Sequence, residues 1–199
     1  PLIDILRDSQ MPTVQRDPNC ILLLPGSRKN EVGKLLPVML RTATWIARRK
    51  PETKFVIPLP GEWLEPHVNK LLQRYVGGNS PLRGHVEVCV GHTREWMQRG
   101  IAGIAASGTV TVEAAILGLP LVVVYKVNPF TYRLARMLVD ISHITMTNLV
   151  AGKTVYEEFI QKKLVPKRLG PALLAILPDG PRYEEVKRGM ADTVAALGG

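Results

Sequence analysis

Three turns in the sequence combine glycine with hydroxyl or charged side chains, and each directly follows an apolar run. In Pro25-Gly26-Ser27-Arg28 the glycine permits a tight bend or the close approach of a ligand to the backbone. Ser27 is suited to cap a helix, and Arg28 offers a permanent cation with a two-pronged donor geometry. In Ala105-Ala106-Ser107-Gly108-Thr109-Val110-Thr111-Val112-Glu113 the small residues let a ligand reach the backbone, while Ser107 and Thr109 supply hydroxyls. Glu113 lies one turn into the helix that follows, where a carboxylate can accept hydrogen bonds from a ribose diol. The third turn, Gly91-His92-Thr93, places Gly91 and a lone histidine after a strand. Such turns, at helix N-termini with free N–H groups and a positive dipole, suit an anion such as a phosphate. On the residues alone two simpler readings stay open: an ordinary turn with a solvated arginine, and a Glu113 that only complements the helix dipole.

Other chemistries lack their residues. The sequence holds neither the GxGxxG dinucleotide fingerprint nor a P-loop, and no Gly-x-Ser-x-Gly elbow or Cys/His motif suggests a covalent nucleophile. His67, His85, His92 and His143 are scattered, and no His, Asp or Glu pair has metal-ligand spacing, so neither a metal nor a cofactor is expected. Cys20 and Cys89 fall inside apolar runs and read as packing residues.

The elements that must position these turns alternate along the chain. Cys20 to Leu24, Lys54 to Leu59, His85 to Val90, Ile101 to Ala106 and Leu121 to Tyr125 are short apolar runs of the kind buried on both faces of a parallel sheet. Helical periodicity separates them: Val32 to Ala47, Glu62 to Tyr75, a short stretch from Thr93 to Gln98, one ending at Leu117, and Pro129 to Val139. The pattern predicts an α/β fold, a Rossmann-like doubly wound parallel sheet over residues 19–160. Further helices are expected near Val155 to Gln161, from Lys167 to Leu177 and from Tyr183 to Leu197, so that residues 161–199 pack on this domain or on a partner. Residues 1–18 have proline breaks, no sustained periodicity and no initiating Met, and read as an interdomain linker remnant.

Composition narrows the partners. With 26 Lys+Arg against 17 Asp+Glu the formal charge is +9, which favours anionic ligands: nucleic acid, anionic lipid or phosphorylated metabolites. Two cysteines among 199 residues cannot build a disulfide framework. No apolar run approaches the roughly 20 residues of a membrane-spanning helix. The stretch from Asn128 to Leu138 reads as a basic helix with Phe130, Leu134, Met137 and Leu138 on one face and Arg133 and Arg136 on another. Its simplest role is to cover the core, with a membrane-facing role as the alternative.

The ordered motifs Leu23-Leu24-Pro25-Gly26-Ser27-Arg28 and Ser107-Gly108-Thr109-Val110-Thr111-Val112-Glu113-Ala114-Ala115, with Gly118-Leu119-Pro120, resemble those of the lipid-A-disaccharide synthase family. So do Tyr125-Lys126-Val127 through Pro129-Phe130-Thr131-Tyr132, and Asn148-Leu149-Val150-Ala151-Gly152 through Glu157-Glu158-Phe159-Ile160-Gln161. The opening Pro1-Leu2-Ile3-Asp4 is similar to that family's interdomain stretch. The resemblance implies the C-terminal, donor-nucleotide half of a GT-B glycosyltransferase, whose N-terminal half would supply the general base. It implies UDP-2,3-diacylglucosamine and 2,3-diacylglucosamine 1-phosphate as substrates, joined by a β-1,6 link with release of UDP, at the cytoplasmic face of the bacterial inner membrane and without a metal. It also implies that Arg28 stabilises the leaving group, and that Asn148, Glu157 and Gln161 are polar site positions. Thr147 stands where many relatives carry proline, and Lys153 where arginine is common.

Three rival readings share parts of this pattern. Another UDP-sugar enzyme of the same fold, an epimerase or a different glycosyltransferase, shares the turns but not the block from Asn148 to Gln161. A basic nucleic-acid module is disfavoured by aromatics of only 6% and by the lack of an RNP-like or helix-turn-helix signature. A purely structural or dimerising domain could use the polar C-terminal helices for self-association, but it would not call for the Ser-Gly-Thr…Glu turn.

Overall fold

Strand β1 (Cys20–Leu24) is buried at all five positions, which is why it reads as an unbroken apolar run and not as an alternating one. It lies in the middle of a six-stranded sheet with β2 (Lys54–Leu59), β3 (Val86–Val90), β4 (Ala102–Ala106), β5 (Leu121–Tyr125) and β6 (Glu157–Ile160), in the order β3-β2-β1-β4-β5-β6. Every neighbouring pair is parallel. The computed structural model describes residues 14–126 and 143–198. The helix expected from Pro129 to Val139 lies outside the described residues.

The sheet grows outward from β1 to β2 and β3, then returns to β4 on the other side and continues to β5 and β6. With right-handed crossovers this places the helices α1 (Lys29–Ala47) and α2 (Glu65–Val76) on one face and α4 (Val110–Ile116) on the other. The short α3 (Thr93–Arg99) joins β3 to β4. The late helices α5 (Met146–Ala151), α6 (Pro166–Ala175) and α7 (Tyr183–Ala196) complete the layers: α6 packs against α1, and α7 against α4 and α5. The C-terminal helices therefore pack on this sheet domain. Both helix stripes meet one core, in which Leu22, Leu36, Met39, Phe55, Ile57, Ile104 and Val124 are fully buried.

Two expectations change. The segment near Val155 to Gln161 is not a helix: Glu157–Ile160 is a sixth strand, followed by a single 3-10 turn over Gln161–Lys163. Its apolar residues Val155, Tyr156, Phe159 and Ile160 fit a helical period, but the exposed edge of β5 pairs with it, Val122 opposite Glu157 and Tyr125 opposite Ile160. Tertiary pairing overrides the local pattern, and Tyr156, wholly buried, donates its hydroxyl to Leu119 O at 3.0 Å. Within the stretch read as a linker, Arg16 is bolted under the sheet. Its guanidinium donates to Met97 O at 3.0 Å, to Leu117 O at 2.7 Å and to Gly100 O, so it satisfies carbonyls left open at the ends of α3 and α4.

Cys20 is 2% exposed and burial pushes its thiol up to about 12. Burial, with the Glu87 carboxylate beside it, pushes Cys89 up to about 11. Both are free thiols placed within strands of the sheet, Cys20 buried and Cys89 half-buried.

Candidate functional site

The reversal of strand order between β1 and β4 splits the loops that leave their carboxyl ends, because α1 departs on one face and α4 on the other. A cleft of about 460 Å³ opens there. Its walls are the turn from Leu24 to Arg28 with Glu31 of α1, and the turn from Ala106 to Val110 with Glu113 of α4. Pro58 near the end of β2 and Pro60 just after it, with Thr93 and Met97 of α3, close the third side. The two turns singled out in the sequence thus meet across one cavity, and Gly26, Ser27, Arg28, Ser107, Gly108, Thr109 and Glu113 all line it.

Gly26 has φ +101, the left-handed region that other residues avoid, and a β-carbon there would collide with the Glu31 carboxyl. Glycine is required for the bend; the Glu31 carboxyl, at the far end of a flexible side chain, could swing away from a β-carbon. Ser27 and Arg28 are exposed, and the extended backbone of Arg28 turns the chain into α1. Glu31, in the first turn of α1, reaches back to accept the Ser27 N–H. Burial raises its carboxyl above the usual value, against the opposing pull of that N–H and the Arg28 cation.

On the opposite wall Ser107 donates its hydroxyl to Ile144 O at 3.3 Å, and Thr111 donates to Gly108 O at 2.8 Å. Among the described residues no carbonyl or side chain accepts the N–H groups of Gly108, Thr109 or Val110. Those donors point out of the start of α4 beside the exposed Thr109, so this wall presents amide hydrogens to the cleft. The Glu113 carboxylate, one-quarter exposed, lies 3.7 Å from Arg94 Nε. Arg94 and Glu31 are the charged residues of the site that sequence reasoning missed. Arg94 follows the third turn at Gly91-His92-Thr93, but nothing local shows that it will reach Glu113 in another helix.

The remaining candidates are not brought to the cleft. Gly91 (φ +74) and His92 (φ +52) form a left-handed turn that aims Thr93 inward, and His92 Nδ1 is taken up by Glu95 at 2.7 Å. Asn148 has no exposed surface. Its amide donates to Tyr156 O at 2.8 Å, and its carbonyl accepts the N–H groups of Val155 and Tyr156 at 2.9 Å. In this structure Asn148 therefore braces α5 against the segment that enters β6 and does not line the cleft. Glu157 is paired with Arg182 Nη1 at 2.9 Å, and Gln161 sits in the 3-10 turn with φ +52, both apart from the cleft lining. Lys153 pairs with Asp192 at 2.5 Å, so this departure falls on a surface ion pair with α7. No group of His, Cys, Asp and Glu among the described residues could hold a metal ion.

The sequence model of the lipid-A-disaccharide synthetase family matches residues 5–198, nearly the whole chain. The chain belongs to the lipid-A-disaccharide synthase family. It is 34% identical over 209 residues to the lipid-A-disaccharide synthase of Syntrophus aciditrophicus, covering 100% of this chain and 52% of that protein. It is 38% identical over 166 residues to that of Nitrosococcus oceani, covering 83% of this chain and 41% of that protein. The chain thus spans about half the length of the curated relatives it matches. Among solved structures it resembles a UDP-GlcNAc 2-epimerase from Neisseria meningitidis bound to UDP-GlcNAc, with a TM-score of 0.54 at 19% identity over 96% of this chain and 47% of that one. It also resembles the ADP-heptose heptosyltransferase II of E. coli, with a TM-score of 0.51 at 14% identity over 92% of this chain and 52% of that one. At these identities the likeness is one of fold: Rossmann-like, of the kind found in GT-B glycosyltransferases and their epimerase relatives.

Proposed function

We propose that this chain is the donor-nucleotide half of a lipid-A-disaccharide synthase. The observation that carries the reading is the cleft between β1 and β4, where Arg28 and the uncapped amides of Gly108 and Thr109 converge in a chain of this family. The diphosphate of UDP-2,3-diacylglucosamine would lie between these donors, with the ribose diol on Glu113, itself held by Arg94. The acceptor is 2,3-diacylglucosamine 1-phosphate, and the enzyme works at the cytoplasmic face of the inner membrane. The net charge of +9 suits anionic substrates and an anionic leaflet.

In the reaction the 6-hydroxyl oxygen of the acceptor forms a bond to the anomeric carbon of the donor. The bond from that carbon to the β-phosphate oxygen breaks, and its electron pair leaves with UDP. The hydroxyl proton passes to a base on the other half of the enzyme, and the configuration inverts. This half supplies positive potential where charge collects on the departing diphosphate: the Arg28 guanidinium and preorganised N–H groups, which need no reorganisation as the bond breaks. Calorimetric titration of the chain with UDP, ADP and GDP tests the reading. UDP binding that exceeds both purine nucleotides supports it; equal binding of all three, or of none, overturns it.

A further inference from the structure

The side chain with the densest set of polar contacts in this region is Glu158, which does not line the cleft. From β6 its carboxylate accepts the N–H of Ile144 at 2.9 and 3.0 Å, and the N–H and hydroxyl of Thr145 at 2.8 and 2.7 Å. It also accepts the Asn148 amide at 3.0 Å. Asn148 in turn grips Tyr156 and Val155, so the turn from Ile144 to Asn148 is clasped to β6 at one end and to the segment that enters β6 at the other. Thr145 is fully buried within the clasp. Charge-assisted bonds of this kind, several on one carboxylate, fix a turn far more firmly than backbone contacts alone.

The clasp reaches the cleft through one atom. The carbonyl of Ile144, whose N–H is held by Glu158, accepts the hydroxyl of Ser107, and Ser107 lines the cleft beside the uncapped amides. We propose that Glu158 is a positioning residue for the nucleotide site, acting through Ile144 and Ser107. Its carboxylate sets where the Ile144 carbonyl sits, that carbonyl accepts the hydrogen bond of the Ser107 hydroxyl, and Ser107 then faces the cleft with oxygen lone pairs only. In that state Ser107 is an acceptor, suited to a sugar or ribose hydroxyl, and the phosphate oxygens are left to the amides and Arg28. The inference rests on the proposed reading of the cleft as a UDP site.

Glu158→Gln tests it. The replacement keeps the shape but turns an NH2 donor toward groups that are themselves donors, so the clasp loosens. UDP affinity is measured by calorimetry for the parent chain, E158Q, Ser107→Ala and the double variant, each with a thermal melt. Thr193→Val, which removes a buried hydroxyl bond to Gly189 O inside α7, serves as a control destabilised away from the clasp. E158Q is expected to weaken UDP about tenfold, and the double variant to be no weaker than Ser107→Ala alone, since Glu158 acts on the ligand only through Ser107. Thr193→Val should bind UDP as the parent does. If E158Q does not fold, Thr145→Val, which removes one donor from the clasp, is expected to show a smaller loss in the same direction. A parent that binds UDP alongside an E158Q or Thr145→Val that binds it equally overturns this inference alone, and so do additive losses in the double variant. A parent that fails to bind UDP overturns the reading of the cleft and this inference with it.

Discussion

Arg28 is exposed at the mouth of the cleft, and its expected partner is a diphosphate. Arg28→Ala should therefore weaken UDP by about tenfold or more, the worth of a charge-assisted contact, and leave uridine nearly unaffected. Titration of both ligands checks this, and an equal loss for each would place the contact away from the phosphates. Glu31 carries a prediction in pH. Because burial raises its carboxyl, the folded chain holds that proton more tightly than the unfolded chain does. Ionised Glu31 thus costs the folded state, and the cost is lifted as pH falls through its raised value toward the ordinary 4.5. Glu31→Gln does not titrate, so the melting temperature of the parent relative to this variant should rise as pH is lowered from 7 toward 4.5. A parent melting temperature that falls relative to the variant over that range would mean that the Ser27 N–H, and not burial, governs the group.

Among the elements, the short helix α5 and strand β6 carry the sharpest test. Thr147 is fully buried in the first turn of α5, and its hydroxyl finds no partner among the described residues. Thr147→Val keeps the shape and removes an unsatisfied polar atom, so it should stabilise the chain by about 1 kcal/mol, or about 2–4 °C in a thermal melt. A fall in melting temperature would show that the hydroxyl has a partner. The same region shows where the sequence could be read and where it could not. β1, β2, β4 and β5 were legible because strands buried on both faces are written as unbroken apolar runs. β6 was not, since Glu157-Glu158-Phe159-Ile160 has no such run and is a strand only because β5 offers an edge. At the cleft, the two glycine turns were legible from their residues and their places after strands. The Arg94–Glu113 pair and the Glu158 clasp depend on long-range geometry that no local spacing encodes.

At the scale of the whole molecule, the switch in strand order explains why the two glycine turns meet across one cleft. The chain spans about half of its relatives, and the proposed reaction needs a base and an acceptor site from the other half. The chain alone should bind UDP yet form no disaccharide from the two acylated substrates, as product analysis would show; turnover by this half alone would relocate the base. No helix among the described residues is long and apolar enough to cross a membrane. The most direct test is a crystal structure of the chain with UDP bound. The β-phosphate should sit within hydrogen-bond reach of the Gly108 and Thr109 amides and the Arg28 guanidinium, with the ribose on Glu113. UDP seated anywhere else, or a cleft left vacant at saturating UDP, would contradict the assignment.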